Sequence, residues 1–427
     1  MLRRATSWPA GQEARNDSSE SLRPRRQRAF LLYGGYRIVL ARSPEAIGPC
    51  LEGWEALARE AAEPNVFYSP WALLPALEHL VGDKRFALLF LVRQGGSEEG
   101  PVLDGFFPLF EPSGCGLLPR TVARMFRHRY CFSVTPLVRR GREPAVMRAF
   151  LRWLHAHRRQ YPLLLLRDAP ADGPLAAALR TALGNEGLRC HEGARRSRAL
   201  IEPGDDAERY LERAMSAKRR KEYRRLGRRL GELGELRLRV LQPRGEDLQA
   251  WLSAFLALES KGWKGESRSA LGCRTACRRY FEAVATAAYA RGQLMMLELS
   301  LDRRPLAMLC DFLAPPGAFS FKVAFDEDYA QYSPGALLEL ECIRLLHELK
   351  DQGVQWMDSC AAPEGGLSNS LWLERKPLCT FVLSSGSPLA DLWIDLYPYG
   401  KRLKGWWKRR QERLSDGWPS GSRTAGG

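Results

Sequence analysis

The sequence has no long apolar run, no two cysteines separated by two residues, few histidines and no excess of acid, and each shortage removes a class of protein. Its densest apolar stretches, Phe86 to Val92 and Leu163 to Leu166, are of strand length, far short of the ~20 residues a membrane-crossing helix needs. The ten cysteines are scattered, with Cys273 and Cys277 closest together and Cys379 alone. That spacing suits reduced thiols better than a disulfide framework or a zinc site, so no metal is expected. The N-terminus lacks the apolar core of a signal peptide, and Glu13, Asp17 and Glu20 are unlike an acid-poor transit peptide. A soluble, cytoplasmic protein is the expectation. With six histidines, chemistry that depends on histidine has few carriers.

What is present is size and positive charge. A chain of 427 residues with 45% hydrophobic residues can bury real cores in two or three domains. The net charge of +16 favours acidic partners: nucleotides, RNA, anionic lipid or an acidic substrate. Arginine greatly outnumbers lysine, which codon bias also produces. Residues 1–30 are basic, rich in arginine and serine, and aperiodic, which predicts a disordered tail. From Tyr36 the pattern becomes regular. Strand Arg37–Ala41 and helices over Pro44–Ala61 and Phe67–Leu80 come first, then strands Phe86–Val92, Val102–Phe110 and Cys131–Val138. Helix Glu143–His157, strand Leu163–Leu166, helix Pro174–Glu186 and strand Leu188–His191 complete the first half. The second half repeats that order about two hundred residues later, the mark of a duplicated supersecondary plan. Domains are expected at 31–205 and 206–398, followed by a basic tail at 399–427.

The most informative stretch runs from Phe319 to Cys360. Phe319–Phe325 alternates as a strand, Ser333-Pro334-Gly335 opens a helix, Gly353 ends it, and Val354–Met357 is a second strand. This is a β-α-β unit whose helix starts with little side-chain bulk. Such an N-terminus suits a phosphate, held on the backbone amides of Ser333, Gly335, Ala336 and Leu337, although a capped crossover helix with no ligand reads the same way. The first half has Arg139–Glu143 where this start would be, so it reads as a scaffold without a cofactor site.

With strands Gln293–Ser300 and Pro305–Leu313 ahead of it, the unit makes three antiparallel strands, a helix and a parallel strand, which resemble the GNAT acyltransferases. The chain is similar in particular to the CelD/BcsL-type (BioF2-like) acetyltransferase domains, relatives of the Fem peptidyltransferases. The resemblance rests on SAKRRKEYRRL (Ser216–Leu226), ESKGWKG (Glu259–Gly265), FKVAFDEDYAQYSPGALL (Phe321–Leu338), DSCAAPE (Asp358–Glu364) and NSLW (Asn369–Trp372). It covers roughly Tyr210–Ser384. It implies an α/β (α+β) protein of tandem GNAT-like domains, each a mixed, mainly antiparallel sheet flanked by helices. It also implies transfer of an acetyl or other acyl group from acyl-CoA, and it hints at bacterial exopolysaccharide or envelope precursors as acceptors. A Fem-like transfer from aminoacyl-tRNA, or a non-catalytic RNA- or membrane-surface binder, are the other readings.

Acyl transfer from a thioester to an amine or hydroxyl needs a base and a donor that polarises the carbonyl, and no covalent intermediate. Asp358, at the end of the strand after the crossover helix, is the candidate base, or else caps its loop. Lys322 and Asp326 flank the cleft as substrate contacts, or form a structural pair. Trp263 and Lys264 line the acceptor side, unless Trp263 plugs a core. The basic helix Ser216–Leu233 carries Lys218, Arg219, Arg220 and Arg224 as anion contacts, or as a solvated face; Gly227 and Gly231 weaken its end by ~1 kcal/mol each. In Lys401–Arg413, Trp406 and Trp407 lie among lysines and arginines. Such a segment suits either the surface of an anionic membrane or docking of the two tryptophans on the protein body.

Overall fold

Strands covered on both faces carry apolar residues at almost every position, and two of them, Phe86–Arg93 and Leu294–Leu301, hold corresponding places in the two halves of the chain. The computed structural model describes residues 32–43, 46–94, 100–115, 118–242, 246–261, 270–362 and 366–397. The first half runs β1 (Leu32–Tyr33), β2 (Tyr36–Ala41), α1 (Leu51–Glu60), α2 (Pro70–His79), β3 (Phe86–Arg93), β4 (Val102–Cys115), β5 (Leu118–Met125), β6 (Leu137–Val138), α3 (Glu143–Ala156), β7 (Leu163–Pro170), α4 (Pro174–Glu186), β8 (Cys190–Glu192) and β9 (Arg196–Ile201). The second runs α5 (Ala207–Ala214), α6 (Ala217–Gly231), β10 (Leu236–Val240), α7 (Leu248–Lys261), α8 (Thr275–Ala290), β11 (Leu294–Leu301), β12 (Arg304–Ala314), β13 (Gly317–Phe325), α9 (Pro334–Leu349), β14 (Trp356–Asp358), α10 (Leu367–Leu371) and β15 (Glu374–Ser384). A last helix, α11, occupies 388–397.

All these strands belong to one mostly antiparallel sheet, ordered β1-β2-β3-β4-β5-β7-β15-β9-β14-β13-β12-β11-β10, with β6 added to β4 and β8 to β15. Each half contributes three antiparallel strands, a crossover helix and a strand parallel to the third. The parallel contact is short in both: Val122–Arg124 beside Leu163–Leu165, and Gly317–Phe319 beside Trp356–Asp358. Beyond those pairs the strands part. β15 ties the halves together, since Glu374–Leu378 pairs with β9 and Leu378–Ser384 with β7.

The expected strand Cys131–Val138 shrinks to Leu137–Val138, and β5 is the third strand instead. Side chains take the carbonyls a ladder would need: Asn65 Nδ2 donates to Ser133 O and Thr135 O, and Arg198 to Phe132 O. Arg120, Thr121 and Arg124 interrupt the apolar pattern of β5, which hides it in the sequence. α6 runs through Gly227 to Gly231 without breaking. A methyl group on Gly227 would already touch Leu337 at 3.8 Å, so the bare backbone lets α6 lie close to α9, and Ser216 caps the start by accepting from the Arg219 amide. Leu338, Ile343 and Leu346 of α9 are fully buried over Leu309, Ala318 and Met357. Each is worth ~1.5–3 kcal/mol against exposure. The other face of β12 and β13 packs Phe312, Phe319 and Phe321 in the main core with Phe255 of α7 and Phe281 of α8.

Candidate active site

The register of β13 on β12 slips between Cys310 and Asp311: Cys310 faces Lys322 and Asp311 faces Ser320. Phe321 is left over as a β-bulge, a device that re-aims neighbouring side chains. Its freed amide donates to Asp311 Oδ1 at 3.0 Å. Phe321 then stacks with Phe281 and the next residue, Lys322, reaches Glu259 Oε1 of α7 at 3.2 Å. Where β13 and β14 part, a cleft of about 490 Å³ opens. Its walls are the first turns of α9 (Ser333, Gly335, Ala336, Glu339), the bulged strand, Asp311 of β12, the Ser359–Ala361 loop and Trp372.

Among the described residues, two carboxyl groups face into this cleft. Asp311 is buried at the sheet, and desolvation pushes its carboxyl well above the ordinary range, against the opposing hydrogen bond from Phe321. Glu339, on the second turn of α9, is half-buried. Burial raises it to about 7, while the Trp372 indole N–H, 2.7 Å from Oε1, works the other way. A carboxyl raised toward neutral pH in a cleft, as Glu339 is, suits acid–base chemistry. The nearby thiols Cys342 and Cys360 are pushed up by burial first and by carboxylate charge second, so they stay protonated and are poor nucleophiles. Sequence reasoning missed both acids. The available signal was Asp311 itself, a lone acid inside the apolar run LAMLCDFLA, which a covered strand must bury.

Asp358 does not line the cleft. It sits beside Phe319 at the end of the parallel pairing, fully buried, with Lys376 Nζ at 3.1 Å, Arg198 at 3.5 Å and the Cys360 amide at 2.9 Å. Burial would raise its carboxyl, but the charges of Lys376 and Arg198 outweigh that and hold it below the ordinary range. A carboxylate so stabilised is a weak base, and this geometry is that of a structural ion cluster. Lys322 lines the cleft but is engaged by Glu259. Asp326 is buried outside the lining residues and paired with Lys261 at 2.7 Å and Arg304 at 2.5 Å; they overcome its burial and keep it ionised. The two residues thus answer different partners, not each other. Trp263 and Lys264 lie outside the described residues.

The helix start is only partly available to an anion. The Ser333 amide donates to Ala330 O, and the amides of Ala336 and Leu337 both donate to Ser333 O. Gly335 keeps the available N–H, pressed against the Phe325 ring, which a Cβ would meet at 3.3 Å. Leu337 faces α6 instead of the cleft. The positive charge comes from beside the helix: a groove of about 580 Å³ lined by Arg219, Glu222, Tyr223, Arg225, Arg229 and Tyr332 meets the cleft at Ser333, with Arg225 held by Glu222 at 2.6 and 2.9 Å. Of the proposed anion contacts, Arg219 is there, partly engaged with Ser370 and Tyr223. Arg220 and Arg224 line the opposite flank of α6, where Arg220 pairs with Glu212, and Lys218 is exposed outside both grooves. Sequence pattern marked the helix but not which flank faces the cleft.

Comparison with known proteins agrees with this layout. No curated protein matches the chain in sequence. In structure it is similar to FemX, with a TM-score of 0.53 and 12% identity over 81% of this chain and 98% of that one. It is also similar to a tandem GNAT protein from the clavulanic acid biosynthesis pathway (TM-score 0.40, 13% identity, 82% and 99% covered) and to L-PGS from Bacillus licheniformis (0.42, 14%, 81% and 94%). At these identities the likeness to FemX is one of fold. Residues 217–365 match the acetyltransferase (GNAT) domain family, a span that starts at α6 and holds the bulged strand, α9, β14 and both cleft carboxyls.

Proposed function

We propose that the protein is an acyltransferase that moves an acetyl or other acyl group from acyl-CoA to an amine or hydroxyl of a small molecule, such as a polysaccharide or envelope precursor. The observation that carries this reading is the cleft between β13 and β14, which holds two carboxyls of raised pKa and opens at Ser333 onto an arginine-lined groove. The residues fit such a donor: Arg229 suits its phosphates, the Gly335 N–H faces them at the helix start, and the cleft takes the thioester. Glu339, once ionised, accepts the proton from the attacking nitrogen or oxygen. The new bond forms to the acyl carbon as the carbon–sulfur bond breaks, and the CoA thiolate leaves. Asp311, holding its proton, keeps the Phe321 bulge in shape and leaves Glu339 as the base. Lys322 and Asp326 serve as positioning residues through Glu259, Lys261 and Arg304.

The test is native mass spectrometry of freshly purified protein, followed by release of free thiol from acetyl-CoA in the presence of amine and hydroxyl acceptors. Retained CoA or acceptor-dependent thiol release supports the reading. Retained tRNA with no CoA binding would transfer it to an aminoacyl-tRNA donor or a non-catalytic RNA binder. Peripheral contact with an anionic membrane through the C-terminal segment is compatible with an envelope acceptor.

A further inference from the structure

The first half of the chain, whose sequence predicts a scaffold, holds a cavity of about 930 Å³, larger than the about 490 Å³ cleft of the second half. It lies on the α1 side of the sheet. Phe106 packs on Trp54 of α1, Phe110 follows four residues later on the same face of β4, and Arg124 and then Leu165 are its neighbours across the sheet. Phe110 and Leu165 line an apolar floor, and Lys84, Arg85, Arg124, Arg127 and Arg167 form walls that also hold the carboxylates Asp83 and Glu111.

The charges around it are unbalanced. Glu111 is shared by Arg42 at 2.7 Å and Arg85 at 2.8 Å. Asp168 is shared by Arg127 at 2.9 Å, Arg167 at 3.7 Å and Arg196. Among the described lining residues, the two carboxylates Asp83 and Glu111 face one lysine and four arginines. Arg124 has no ion-pair partner among the described residues, and its Nε is enclosed without a hydrogen-bond acceptor. Lys84 rests 5.6 Å above the Phe110 ring, likewise without a carboxylate among the described residues. An enclosed donor with nothing to bond is a standing cost that an anion in the cavity removes.

We propose that the first half carries a binding site for a phosphorylated small molecule of nucleotide size, separate from the acyl-transfer cleft. Phosphate is the anion that several guanidinium forks and an ammonium recognise together. The volume is that of a small-molecule site, and the floor of Phe110 and Leu165 accommodates an apolar or flat portion of the ligand.

Isothermal titration of the full chain with ATP and with inorganic pyrophosphate, at low salt, tests this. Saturable binding of ATP that persists in Gly335→Val, which blocks the other cleft, is expected. Arg124→Gln should weaken it at least tenfold, and so should Lys84→Gln, a change at the exposed rim that leaves the core untouched. Arg158→Gln, an exposed arginine that is not among the lining residues, should leave it unchanged. Absence of saturable heat with both probes overturns the proposal. So does binding indifferent to Arg124 and Lys84, or equal weakening by Arg158→Gln, which would mark general attraction to a basic surface.

Discussion

Glu339 and Asp358 show how two carboxylates of one chain acquire opposite characters from their surroundings. Glu339 has burial with one hydrogen-bond donor, and its proton is held up to about 7. Asp358 has two cations, and its proton is driven off. If Glu339 is the base, turnover rises with pH through an apparent pKa of about 7. Glu339→Gln keeps the acceptor for Trp372 but removes the base, so turnover should fall by ~10²-fold or more with CoA affinity nearly unchanged. Stability moves the other way. The folded-state pKa lies above the unfolded one, so the unfolded chain ionises first as pH rises from 4.5 to about 7, and the folded state loses ~1–3 kcal/mol across that window. Glu339→Gln should therefore melt higher than the parent at pH 8 and no higher at pH 4. A variant that keeps full turnover moves the base elsewhere.

Asp358 gives the converse result. Its folded pKa is depressed, so its contribution is present above the unfolded value near 4 and is lost as pH falls through the folded value. Asp358→Asn leaves Arg198, a buried guanidinium, beside Lys376 without a counter-charge, a change that costs ~3–5 kcal/mol in buried pairs. A lowered melting temperature at neutral pH is expected, with the residual activity of the folded fraction near that of the parent. Unchanged melting with lost turnover would restore Asp358 as the base.

At the scale of elements, the β-α-β unit was legible because its signals are local: alternation in Phe319–Phe325, Ser-Pro-Gly at the helix start, Gly353 at its end. The bulge at Phe321 and the exposure of Glu339 to the cleft were not, because both depend on how β12 registers against β13 and on where α10 folds back. The flank of α6 that meets the cleft was hidden for the same reason. Arginines crowd several sides of that helix, and only its packing through Gly227 onto Leu337 selects one. That selection makes a prediction. Arg229, exposed in the cleft-side groove and without an ion pair among the described residues, should matter to CoA binding: Arg229→Gln weakens it about tenfold. Arg224→Gln, on the opposite flank, changes it less than twofold. Equal effects from both would mean diffuse attraction to a charged helix. Gly335→Val drives a branched side chain toward Phe325 and should abolish CoA binding in a protein that still melts cooperatively. Calorimetric binding unchanged in that variant removes the helix start from the donor site.

At the scale of the whole molecule, one sheet carries both copies of the plan, and the last strand, β15, joins them by pairing with β7 and β9 of the first half. α11 follows directly. Ala390 and Ile394 are buried against Val122, Leu163 and Val382, which fixes the helix on the first half. Its outer side carries Leu389, Leu392 and Leu396, 80%, 54% and 56% exposed, spaced as one stripe of a helix. Lys401–Arg413, outside the described residues, continues the sequence with basic residues around Trp406 and Trp407. Leucines that find no cover among the described residues, followed by tryptophan and basic charge, suit the interface of an anionic bilayer, where each basic residue near the surface adds ~1 kcal/mol. The full chain should co-sediment with phosphatidylglycerol vesicles at low salt, and binding should weaken as salt screens the charge. Leu389→Ser with Leu392→Ser should reduce it about tenfold, and deletion after Gly400 should abolish it. Acyl transfer to a soluble acceptor should survive Leu389→Ser with Leu392→Ser, because neither leucine lines the cleft. If the intact chain leaves anionic vesicles in the supernatant, or if deletion after Gly400 exposes the stripe and lowers the melting temperature, then Trp406 and Trp407 cover the leucines and the segment is packing.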